Sequence, residues 1–239
     1  MFRRMLLFVS VVSLAAVRLA GQSGCNVTPE VTDSHTALLD HFDGSTIGQV
    51  TGSVTFGPSV NGLNSALQFA SGSWVEYSLN GWYKWSSTYD PSIAYGAIEL
   101  WVKAGNTHAA GTFLAINWYD SAIPQSSGYI TELGLDSSGR LTFAGWSSVT
   151  SNPYDTPFIQ PHTTIPQTSF THISYTWSPT GTAVYVNGNL EATSSLNYYP
   201  ALNSTVYVYL NPWGSNVLAA VDELRVSTIA RAEMMSCVQ

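Results

Sequence analysis

Turn residues punctuate this chain about once every dozen positions, and the stretches between them are short and alternate apolar with polar side chains. Such segments are too short for ordinary helices and read as strands. Several carry hydrophobes on both faces, which only a second packed sheet can bury. The clearest is Ala97–Lys103, AIELWVK, where Ile98, Leu100 and Val102 point one way and Glu99, Trp101 and Lys103 the other. Ala183–Gly188, AVYVNG, ends in Asn-Gly, the pair that favours a type I′ hairpin turn. By the same pattern Leu38–Asp43, Val54–Phe56, Ala66–Ala70, Trp74–Leu79, Phe113–Trp118, Tyr129–Leu135, Arg140–Trp146, Phe170–Trp177 and Thr205–Leu210 are strands, and a last one opens Val217–Cys237. The expected fold is all-β, an antiparallel sandwich of two sheets with about twelve strands. Turns are expected at Asp43-Gly44, Ser71-Gly72 and Asp136–Gly139, with long loops at Asn80–Ala94 and Ser147–Thr168. No internal repeat is visible.

Charged residues make up only 10% of the chain while aromatics reach 13%, the balance of an extracellular β-sandwich. Met1–Gly21 has the layout of a secretory signal: Arg3 and Arg4 precede an apolar run, Met5–Val17, too short to span a bilayer. Residues 22–37 form a polar lead-in, and 38–239 are room for one large domain. The formal charge is −7. Without Arg3, Arg4 and Arg18, only Lys84, Lys103, Arg140, Arg225 and Arg231 remain basic. This argues against nucleic acid and anionic membranes as partners. No second apolar run offers a membrane span, so the expected location is secreted, extracellular, periplasmic or at the cell surface. Gln22 breaks the lipid-attachment pattern before Cys25. In an oxidising compartment Cys25 and Cys237 read most simply as a disulfide, with two free thiols as the alternative. Closing so long a loop is worth about 5 kcal/mol in the chain-entropy model. Asn26 and Asn203 stand in glycosylation sequons, relevant in a eukaryotic source.

In the last strand, alternation over Val221–Val226 puts Asp222 with Leu224 and Val226, and Glu223 with Arg225 on the other face. A carboxylate on an apolar face is costly unless a cation or several donors meet it.

Several segments together resemble the LamG-like jelly rolls of the concanavalin A-like lectin/glucanase superfamily. They are Asp222–Val226 followed by Ile229-Ala230-Arg231-Ala232-Glu233, AIELWVK, AVYVNG, Phe170 with His172, Ile173 and Thr176, and Ala66-Leu67 with Phe69 and Gly72. The resemblance covers roughly Leu38–Met235. It implies a first strand beside the last, a short helical turn after the last strand, and neighbouring termini that suit the Cys25–Cys237 pairing. It also implies a structural calcium ion held by Asp222 with Asp43, Gly44 and Gly72, although Ala70 stands where the family often has Asp. It leaves function open, since this fold hosts lectins, glycosidases and protein-binding modules.

The residues themselves speak against catalysis. The Glu-x-Asp-x-x-Glu signature of the superfamily's glucanases is absent. Glu132 and Asp136 would lie about 13 Å apart on an extended chain, at roughly 3.3 Å per residue, and Asp136 belongs to a turn. No Gly-x-Ser-x-Gly elbow, zinc-type Cys/His spacing or phosphate-cradling loop occurs, and His172 reads as a structural imidazole. Aromatic rings stack on the apolar faces of sugars, so Trp118, Tyr119, Trp146 and Trp213 are the candidate ligand contacts, with Trp82 and Trp85 in the early loop. The expectation is a non-catalytic module that binds a glycan or a cell-surface or matrix polysaccharide. A hydrolase or lyase of the same fold and a protein-binding adhesive domain are the alternatives.

Overall fold

The computed structural model describes residues 29–60, 63–79, 95–105, 110–120, 128–147, 162–178, 180–194 and 204–231. At 117–120, 128–130, 144–147 and 204–205 it describes the backbone alone. Cys25, Cys237, the N-terminal apolar run, both sequon asparagines and most of the two long loops lie outside the described residues.

Among the described residues fourteen strands follow in chain order. They are β1 (Thr36–Asp40), β2 (Gln49–Thr51), β3 (Val54–Gly57), β4 (Ala66–Phe69), β5 (Trp74–Ser78), β6 (Gly96–Ala104), β7 (Gly111–Asp120), β8 (Gly128–Leu135), β9 (Leu141–Ser147), β10 (Thr171–Ser178), β11 (Gly181–Val186), β12 (Asn189–Ser194), β13 (Ser204–Leu210) and β14 (Leu218–Ser227). One sheet has eight strands in the order β12-β11-β10-β6-β14-β4-β3, with β1 paired to β14. The other has six, β2-β5-β13-β7-β8-β9. All pairings are antiparallel, so the expected two-sheet sandwich is the observed fold.

The inner faces follow directly from alternation. Ile98, Leu100 and Val102 of β6 meet Ile173, Tyr175 and Trp177 of β10 in one buried core with Leu114, Ile116, Val206, Val208 and Leu210 of the opposite sheet. Each such side chain contributes about 1.5–3 kcal/mol relative to exposure. Gly96 lets the Trp177 indole lie on the β6 backbone, since a Cβ there would fall 2.0 Å from the ring. The Asn187-Gly188 hairpin turn forms as expected, with both residues at positive φ.

β14 is the central strand. β6 runs along one edge, and β4 and β1 share the other. The first and last strands are therefore neighbours. β1 stops at Asp40 rather than Asp43, because the Asp40 carboxylate accepts the N–H groups of Phe42 and Ile47 and the hydroxyls of Thr46 and Tyr77, folding the chain back. Phe42 takes φ 55° and is buried.

The alternation expected for β14 fails at one point. Asp222 pairs with Trp101 and Arg225 with Glu99, so β14 holds one residue more than β6 between them. Glu223 takes φ 50° at this bulge. Val221, Leu224 and Val226 face the core, whereas Asp222 and Arg225 turn to the outer face. Asp222 does not share a face with Leu224 and Val226. In addition, residues 228–231, the described part of the expected helical turn, are not helical. Two strands went unexpected: β2 is exposed throughout, and β12 is a mostly polar edge strand, so neither carries an apolar face to reveal it.

Candidate functional site

The outer face of the six-stranded sheet carries an aromatic row. In β13, Val206, Val208 and Leu210 are buried, which turns Tyr207 and Tyr209 outward. In β5, Val75 and Tyr77 are buried, which turns Trp74 and Glu76 outward. The Trp74 and Tyr209 rings lie 5.7 Å apart, and the Tyr207 and Tyr209 rings 6.1 Å apart with planes 27° from parallel. All three are half-buried. Register sets Glu132, Ala115, Tyr209 and Glu76 in one line across the sheet. The Thr112 hydroxyl donates to Glu132 at 2.9 Å. Apolar rings flanked by a few fixed polar groups are the chemistry that sugars require. The sequence reading missed Trp74, Tyr207 and Tyr209, although the alternation in Thr205–Leu210 and Trp74–Tyr77 contains the signal.

Trp213 stands beyond one end of this row. It is 65% exposed, with φ 55°, in a 3-10 turn, Pro212–Gly214, between β13 and β14. The buried Asn211 fixes the turn. Its side-chain amide donates to the Ser73 carbonyl, and its oxygen accepts from the Ser215 hydroxyl and the Val217 N–H. Gly214 packs against Gly72 so closely that a Cβ would lie 2.6 Å from the Gly72 Cα. The other expected aromatic contacts are placed by backbone register only. Trp118 pairs with Tyr129 and Val206, Tyr119 with Gly128 and Thr205, and Trp146 with Ile130. Their side chains lie outside the described residues, as do Trp82 and Trp85.

The acidic site lies on the other sheet. The Asp222 side chain is fully buried. It accepts the Ser59 hydroxyl on one oxygen and the Glu223 N–H, at 2.9 Å, on the other. Burial pushes its carboxyl up to about 7, and the charges of Glu223 and Asp43 add to this against the two hydrogen bonds. Asp43 in turn accepts from the Asn64 amide and the Ser65 N–H, and Gly44 donates to the Phe42 carbonyl and the Ser65 hydroxyl. Asp43, whose charge acts on Asp222, is near this site, with Gly44 next to it in the chain. Gly72 is not: it donates to Asn216 at the far end of β4, six residues beyond the position level with Asp222, or about 20 Å along a strand. Among the described residues no group of three or more His, Cys, Asp or Glu gathers for a metal. Carboxylate and hydroxyl oxygens such as those of Asp222, Asp43 and Ser59 are donor types that a hard cation such as Ca²⁺ takes.

Next to this corner a chain of charges crosses the outer face. Arg225 donates to Glu99 and pairs with Glu30. Glu223 binds His41 Nδ1 at 2.8 Å and accepts the Glu30 N–H. Burial pushes Glu30 up to about 7 against the pull of Arg225. His172 is buried against Trp101, and burial pushes its imidazole down to about 4, with Arg225 adding to the effect. It is a neutral packing residue, as expected. Asp136 accepts the N–H groups of Ser138 and Arg140 and is the turn acid the sequence implies.

Known proteins carry the same architecture. Domain 4 of an extracellular GH43 arabinanase from Geobacillus stearothermophilus, in complex with arabinotriose, matches with a TM-score of 0.54 at 17% identity, over 82% of this chain and 93% of that domain. The receptor-binding domain of botulinum neurotoxin C/D mosaic serotype matches at 0.52 and 11%, over 82% of this chain and 48% of that one. A Trypanosoma rangeli sialidase bound to the inhibitor DANA matches at 0.54 and 12%, over 86% and 33%. This chain therefore spans about half or less of the toxin domain and the sialidase. At these identities the likeness is one of fold. No curated protein matches the sequence. The Laminin_G_3 family model matches residues 81–233, and the chain belongs to that family, within the concanavalin A-like lectin/glucanases superfamily.

Proposed function

We propose that this protein is a secreted, non-catalytic carbohydrate-binding domain that lays a neutral glycan of a cell surface or matrix across the outer face of its six-stranded sheet. The observation that carries the reading is the Trp74–Tyr209–Tyr207 row on that face. The arabinotriose complex of the arabinanase domain supports it. Glu76 and Glu132 supply orienting acceptors. Their backbones are three strands apart, about 14 Å at the usual ~4.8 Å spacing. Glu132 is also engaged by Thr112. In the same reading a structural Ca²⁺ sits at the Asp222–Asp43 corner, with Ser59 as a further oxygen donor, and secures the last strand to the turn after β1. A glycan array tests the proposal, with wild-type protein and Tyr209→Ala side by side, with and without EDTA. Neutral oligosaccharides should be retained by the wild type and lost by the variant. Failure of every glycan to bind, or release of reducing ends from them, would refute it.

A further inference from the structure

The outer face of the eight-stranded sheet is covered near β14 by residues 29–33, which Glu30 and Asp33 pin to Arg225 and Arg231. At β10, β11 and β12 it opens into a groove of about 460 Å³, within the range of small-ligand sites. Its floor is small, with Ala183 between Thr176 and Thr193 in register. One wall is the segment after β14, where Ala230 lines the groove. That wall is fixed, because the Ser174 hydroxyl donates to the Arg231 carbonyl, and Arg231 Nε donates to Ser227 at 2.7 Å. Hydroxyls face it from Thr176, Thr193 and the phenol of Tyr185, and Ser178 and Thr180, whose hydroxyls hydrogen-bond each other, close one end. Among the described residues that line it, none is Asp, Glu, Lys, Arg or His.

We infer that this groove is a second binding site, for a neutral polyhydroxylated ligand, the chemistry of a sugar. A hydroxyl both donates and accepts, so a wall of hydroxyls complements a ligand whose groups do the same. A phosphate or carboxylate ligand would require a cation here, and a protein partner would require an apolar anchor larger than Ala183 and Ala230. The Tyr185 ring supplies a surface for the C–H face of a sugar ring. The inference does not depend on the six-stranded face. If both sites are used, one molecule bridges two glycan chains from opposite sides of the sandwich.

Amide NMR titration of the whole protein with arabinotriose and with cellotriose tests it. Shifts are expected at residues 176–185 and 193. Ala183→Arg, which fills the floor from a half-buried position, should weaken them about tenfold, and so should Tyr185→Ala. Tyr209→Ala should leave them intact, which separates this site from the one on the other sheet. The inference is overturned if neither sugar shifts these amides, if the shifts survive both groove variants, or if inorganic phosphate produces them equally.

Discussion

Arg225 reaches Glu99 with two nitrogens, Nε at 2.8 Å and Nη2 at 2.5 Å, and both land on the same oxygen, Oε2. The other oxygen, Oε1, is buried with no hydrogen-bond partner among the described residues. Glu99 thus depends on Arg225, and Glu30 depends on the same guanidinium. Burial of one cation between two carboxylates makes its removal more damaging than its presence is stabilising. Arg225→Met should cost about 3–5 kcal/mol, or roughly 6–20 °C in Tm. Adding Glu99→Leu and Glu30→Gln to that variant should recover part of the loss. A urea melt showing less than ~1 kcal/mol lost in the single variant would contradict the burial of this network.

The pH dependence follows from the same corner. Burial holds Glu30 and Asp222 at about 7 in the fold, against about 4 in the unfolded chain. The native state therefore keeps protons that the unfolded chain has released. The stability these groups contribute is full below about pH 4, falls as pH rises toward 7, and is gone above it. His41 works in the same direction, since Glu223 raises its pKa despite its partial burial. His172, pushed down to about 4, opposes them below its unfolded value of about 6.5 but offsets only one of the two acids. In EDTA, Tm should be higher near pH 6 than near pH 8, by at least ~2–4 °C per kcal/mol lost. A higher Tm at the alkaline end would show that these carboxyls titrate normally.

Calcium should reverse part of that trend. An ion that binds only the native state stabilises it by about 2.7 kcal/mol at a hundredfold excess over Kd. It must displace the proton on Asp222, so the rise in Tm should be larger near pH 8 than near pH 6. Asp222→Asn should remove most of the rise and Asp43→Asn part of it. Gly72→Ala, although strained at φ 76°, should leave the calcium-induced shift intact. Equal shifts in wild type and Asp222→Asn would place the ion elsewhere.

The sheets were legible in the sequence because alternation and turn chemistry are local. Ile98, Leu100 and Val102 announce an inner face, and Asn187-Gly188 announces its hairpin. The bulge at Glu223 was not legible. An extra residue is defined only against the partner strand, and nothing in Asp222–Val226 marks Glu223 as the one at positive φ. That hidden residue moved Asp222 to the outer face, where the Ser59 hydroxyl meets it. The resemblance, not any local signal, implies Gly72 at the same corner. Only the pairing of β4 with β14 shows that it lies at the opposite end. The aromatic row was missed for a different reason. Trp74 and Tyr209 are 5.7 Å apart only because β5 and β13 pair across a long connection.

The most direct test of the account is the affinity of the protein for arabinotriose, cellotriose and mannotriose by calorimetry, with Tm measured on the same samples. Trp74→Ala, Tyr207→Ala and Tyr209→Ala should each weaken the best of these ligands about tenfold, some 1.4 kcal/mol, while Tm stays within a few degrees of wild type. Affinity unchanged by all three substitutions, or lost only as the variants unfold, would contradict a glycan site on the six-stranded face.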